Sequence, residues 1–191
     1  MDTMNTTPTV LLFASQMPQQ ELGLIAQVLQ TQGFSRQPMD PKAPSPALVY
    51  LTDDKANSVI IRLYQDIGAL RLELVGGISM QIGAALSQYM EPFSPDLVAS
   101  YLDSAASDME RRVYAILLIL TFPNAKNAMA AIGKKYFDEA NDAVREGVIQ
   151  GLAFLETPDT GIALEDIERR YKGQNIATLA RKAIDALAEH G

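Results

Sequence analysis

The chain has no cysteine, no tryptophan and a single histidine among its 191 residues. Without cysteine there can be no disulfide, thiolate nucleophile, thiolate zinc site or iron–sulfur cluster. The one histidine, His190, is the penultimate residue. A fraying end is a poor place for a catalytic base or metal ligand, which must be held rigidly. These two shortages together remove the commonest nucleophilic and metal-assisted mechanisms. Long apolar runs are missing as well. The longest, Val113 to Leu120, is less than half of the roughly 20 residues needed to cross a bilayer, so no membrane-spanning segment is expected. No basic residue precedes Val10 to Ala14, so the segment does not read as a secretory signal, and a cytoplasmic address is the default expectation.

Positive charge is also in short supply. Sixteen Lys and Arg face 23 Asp and Glu, for a net charge of −7, and neither half of the chain is basic. A phosphate-binding face draws its affinity from clustered cations, so nucleic acid is not an expected partner. An acidic surface attracts basic proteins instead.

What is present is the composition of an ordinary globular protein, 48% apolar and 20% charged, in a chain long enough for two small domains. Thr9 to Ala14 has the length of a buried strand. Pro18 suits a first helical turn, and Leu22, Ile25, Ala26 and Leu29 form one apolar stripe ahead of Gly33. The four prolines between Ser35 and Pro46 predict an extended loop. Ala47 to Leu51 reads as a strand. Val59, Ile61 and Leu63, then Leu70, Leu72 and Leu74, alternate with polar residues on either side of Asp66-Ile67-Gly68, the pattern of a hairpin with one buried and one wet face. Ile78, Ile82, Ala85, Leu86 and Tyr89 restart a helical stripe.

From Ser94 onward the pattern is helical. Ser94-Pro95-Asp96 starts a helix, Ser107 with Glu110 fits a capping box, and Asn124 and Asp138 can each cap a further helix. Thr157 to Gly161 reads as a turn before a short helix with Ile162, Ile167 and Tyr171, and a final stripe runs from Ile176 to Leu187. The fold class expected is therefore α+β: a small α/β domain over 1–92, made of a βα unit and an antiparallel meander, then an all-α domain over 93–191. Val113 to Leu120, apolar nearly all round, calls for a helix buried on several sides. Gly147 and Gly151 each cost up to about 1 kcal/mol in helix propensity and imply close approach of a neighbouring helix.

Val144-Arg145-Glu146-Gly147-Val148 and Ala180-Arg181-Lys182-Ala183-Ile184 align at an offset of 36 residues, and Arg111 or Arg112 precedes Leu118 in a similar way. With Asp142 before Arg145, Asp108 before Arg112 and Asn175 before Arg181, this resembles the HEAT and armadillo repeat families over residues 107–191. The resemblance implies stacked helix pairs whose second helices line a partner-binding surface, here a shallow one bearing Lys126, Asn127, Lys134, Lys135, Glu165, Glu168 and Arg169.

Other constellations have plainer readings. Gly76-Gly77-Ile78-Ser79 has the context of an anion site at a helix start but lacks the glycine spacing of nucleotide-binding loops, so a strand-to-helix turn is preferred. Asp53, Asp54 and Asp66 could ligate a hard cation but sit where turns want them. Asp138, Glu139, Asp142 and Glu146 on the opening turns of one helix suit its dipole, with an acidic docking patch as the alternative. The function expected is a non-catalytic protein-interaction module without cofactors, such as an adaptor, chaperone or toxin-neutralising protein, binding another protein, possibly basic. The alternatives are a ligand sensor or enzyme with its site at the domain junction, and a structural homo-oligomer such as a homodimer.

Overall fold

A computed structural model describes residues 7–39 and 47–190. The chain divides into two compact units, Met1–Phe93 and Ser94–Gly191.

The first unit is a five-stranded antiparallel sheet with helices on one face. Its strands are β1 (Thr9–Ala14), β2 (Phe34–Arg36), β3 (Ala47–Thr52), β4 (Ser58–Tyr64) and β5 (Ala69–Val75), in the order β1-β5-β4-β3-β2. Helix α1 (Pro18–Thr31) carries the chain from the β1 edge to the β2 edge, and α2 (Ser79–Leu86) follows β5. Period-two alternation puts Phe13, Leu70, Leu72, Leu74, Val59, Ile61 and Tyr50 on one face, where they pack with Ile25, Val28 and Leu29 of α1 and Ile82 and Leu86 of α2. Three expectations need correcting on this unit. Phe34–Arg36, which includes the first residues of the expected loop, pairs as an edge strand with β3, because buried Phe34 anchors it to the core. Of that loop, residues 40–46 lie outside the described ones. Tyr89 does not join the stripe of α2, which ends at Leu86, and is 63% exposed.

The hairpin's second face is not wet. Arg71 on β5 is fully buried, as is Leu12 opposite it on β1. Arg62 on β4 is the direct cross-strand partner of Arg71, a like-charged pairing that costs energy unless an anion separates the charges. Glu73, two residues along β5 and therefore on the same face, forms ion pairs with both guanidinium groups.

The second unit contains α3 (Pro95–Ser104), α4 (Asp108–Leu120), α5 (Ala125–Gly133), a π-helical turn (Lys134–Asp138), α6 (Asp142–Leu155), α7 (Thr160–Arg170) and α8 (Asn175–His190). Local chemistry sets the starts. Ser94 accepts from the Leu97 amide, Asn124 from Asn127, and both halves of the Ser107–Glu110 capping box are made. Helix α6 is capped by Asn141 rather than Asp138, because the π-helical turn takes Asp138 and Glu139 out of that helix. Ile162, expected to be apolar core, is 70% exposed.

Helix α4 packs on α6, α6 on α8, and α5 on α7. The α4–α6 contact is the tightest. A Cβ on Gly147 would lie 2.4 Å from the Arg112 carbonyl oxygen, and one on Gly151 would lie 2.8 Å from Ile119 Cβ, so the glycines let two backbones approach. Every residue from Ala115 to Leu120 is buried. At the head of that apolar run Val113 and Tyr114 keep partial exposure.

Candidate interaction surface

The helices α4, α6 and α8 start at Asp108, Asp142 and Asn175, 34 and 33 residues apart. The first two open on the same device. Arg111 pairs with Asp108 at 2.8 Å and donates to the Ala105 carbonyl, while Arg145 lies 3.4 Å from Asp142 and donates to the carbonyls of Phe137 and Asp138. In each case the arginine ties a first helical turn to the connection before it, satisfying carbonyls that the preceding element leaves open.

Side chains then join elements that are not adjacent in the chain. Arg112 pairs with Glu146, Lys135 reaches Asp103 at 2.6 Å, and the Tyr171 hydroxyl donates to Asp138 at 2.7 Å, spans of 34, 32 and 33 residues. A fourth link is made by backbone. Asp159, in the connection between α6 and α7, accepts from the Lys126 amide at 2.7 Å, 33 residues earlier, and so caps the start of α5 alongside Asn124. Partial burial favours the protonated form of Asp159. The bonds from the Thr157 hydroxyl and the Lys126 amide outweigh it, holding the carboxyl below its ordinary value.

The expected site residues therefore fall into two sets. Lys135, Asp138, Asp142 and Glu146 are held in internal pairs, and Lys134 joins them through Glu139 at 2.9 Å. Lys135 also lies 4.4 Å from the Tyr136 ring centroid, and its pairing with Asp103 raises its pKa while lowering that of Asp103. The acidic residues at the start of α6 thus have cationic or hydroxyl partners within the unit. The second set is the exposed edge of α5 and α7. Lys126 and Asn127 of α5 and Glu165 and Arg169 of α7 are exposed, and Glu168 of α7 is half-buried beside them. Arg169 pairs with Asp166, and Glu168 with Arg181 of α8 at 2.9 Å.

Glu165, Glu168 and Arg169 also line an open cleft of about 540 Å³ between α7 and α8, completed by Lys172, Thr178, Arg181 and Lys182 over a floor of Gly173 and Ala177. Lys172, Thr178 and Lys182 belong to no motif that marks them as site residues in the sequence. The available signal was a run of cations flanking Gly173 at a helix-to-helix turn, legible only once the two helices are known to be antiparallel neighbours.

The remaining constellations are structural. Asp54 accepts from the Thr52 hydroxyl and the Ala56 amide, which lowers its pKa and makes it a turn residue. A Cβ on Gly76 would meet the Asn57 side chain at 2.1 Å, and that amide oxygen accepts from Ile78 at the start of α2, occupying the place an anion would take. Among the described residues no group of three or more His, Asp or Glu is placed to hold a metal, and no helix is long and apolar enough to cross a membrane. No family model, curated protein or solved structure matches the chain.

Proposed function

We propose that residues 94–191 form a HEAT-like repeat module that binds another protein without catalysing a reaction, with α5 and α7 presenting the binding edge. The observation that carries this reading is the repeat of about 33 residues in the contacts themselves. Corresponding helices pack on each other, and corresponding polar groups join them at that spacing. A stack of this kind uses its buried side for cohesion and leaves one polar edge free to vary with its partner. Roles as an adaptor, a chaperone or a toxin-neutralising protein all use such an edge. The internal pairing of Asp138, Asp142 and Glu146 argues that the partner is held by the α5/α7 edge rather than by an acidic patch on α6.

The test is affinity capture from the native cell extract with the full chain as bait, comparing the wild type with Lys126→Glu/Asn127→Glu on α5 and with Gln150→Glu, an exposed position on α6. The reading expects one discrete protein retained by the wild type and by the α6 variant and lost from the α5 double variant. Equal retention by all three baits, or none by any, overturns it.

A further inference from the structure

The cleft between α7 and α8 concentrates positive charge in a chain whose net charge is −7. Four cations line it against two carboxylates. Glu168 is taken up by Arg181, and Arg169 leans on Asp166 of its own helix. Lys172 just after α7 and Lys182 on α8 are both exposed and line the same open volume. A volume of about 540 Å³ falls within the range of sites that take small ligands or a few residues of peptide.

We propose that this cleft binds a short acidic segment of a partner protein, its carboxylates received by Lys172 and Lys182 with Arg169 and Arg181 at the flanks. The inference rests on the binding-module reading and specifies the chemistry of what is bound. Range decides between a short anionic peptide and a long polyanion. At physiological ionic strength charges interact over about 8 Å, so a few carboxylates seated in the cleft feel mainly its cations. A nucleic acid or an anionic membrane extends well past the cleft and meets the acidic remainder of the chain. The lining suits carboxylates in a further respect. Ala177, 8% exposed, gives a small apolar floor with no side chain to block an extended backbone, and the Thr178 hydroxyl can donate to a peptide carbonyl or a carboxylate.

The test uses the full chain and a fluorescent synthetic peptide of alternating Glu and Ser, read by anisotropy against ionic strength. Parallel probes are the same peptide with Gln for Glu, a single-stranded oligonucleotide, and vesicles containing phosphatidylserine. The expected result is saturable binding of the Glu peptide that weakens as salt rises. The Lys172→Glu/Lys182→Glu variant should bind it roughly tenfold or more weakly, and Lys172→Gln/Lys182→Gln should fall between. Unchanged thermal melts of both variants confirm that they fold. Equal binding of the Gln peptide, tighter binding of the oligonucleotide or vesicles, or no effect of the lysine variants overturns the proposal. If the Glu peptide fails to bind while the α5-dependent capture persists, the cleft assignment falls and the binding-module reading stands. If both fail, both fall.

Discussion

At the scale of single residues, the largest departure from expectation is Arg71. Alternation on β5 placed it on a solvent face, because pattern alone weighs a charged residue as exposed. The structure buries it completely beside Glu73, and only cross-strand register, which puts Arg62 directly opposite, reveals why the carboxylate is needed there. Register depends on which strands pair, and that is not a local property of the sequence. Removing Glu73 takes a charged hydrogen-bond partner from both guanidinium groups, a loss of about 1.5–3 kcal/mol. Glu73→Ala is therefore expected to lower the unfolding free energy by about that amount in urea titration, with Glu73→Gln intermediate. A change within a few tenths of a kcal/mol would mean that Glu73 is incidental to holding Arg71.

Among helices and turns, two predictions set opposing effects against each other. Replacing Gly147 by Ala should raise helix propensity by up to about 1 kcal/mol. The added methyl would sit 2.4 Å from the backbone of α4, where the neighbour cannot rotate away, and overpacking of this kind costs about 1–3 kcal/mol. Packing wins, so Gly147→Ala should lower the thermal midpoint; a rise would contradict the close α4–α6 approach. The sequence already carried this conclusion, because two glycines four apart on a strong helix have few other uses.

The Thr157–Gly161 turn was legible only as a turn. That its Asp159 caps α5 depends on α5 and α7 being neighbours, which no single turn motif states. Asp159→Ala should cost about 1 kcal/mol at neutral pH. The folded-state pKa of Asp159 is lowered, so its contribution is fully present above the ordinary aspartate range and is lost as pH falls through the folded value. Stability curves of wild type and variant should therefore converge on acidification, and a gap that stayed constant with pH would assign the cost to something other than the carboxylate.

For the molecule as a whole, the division into a sheet-bearing unit and a helical unit followed from the switch between period-two and helical patterning near Ser94. Short-range signals of that kind survive in sequence because each is settled within a few residues. Aligning Arg145 with Arg181 gave an offset of 36, whereas the helix starts are 33 and 34 apart; the two alignments differ by nearly one helical turn and so keep the same face toward the neighbour. In the helix α8 the arginine that matched the motif serves a different purpose, pairing with Glu168 across the cleft instead of tying back to a preceding connection. The candidate surface was half visible for the same reason. Lys126 and Glu165 could be placed on second helices by counting, but Lys172 and Lys182 come together only through the turn between α7 and α8.

The proposal that the α5/α7 edge is where this protein holds its partner is tested most directly by photocrosslinking in the native cell. A photoreactive residue is placed singly at positions 126 and 165 on the edge and at position 150 on α6. The account predicts one discrete adduct of the same mass from 126 and 165 and none from 150. Adducts from all three positions alike, or from 150 only, would contradict it.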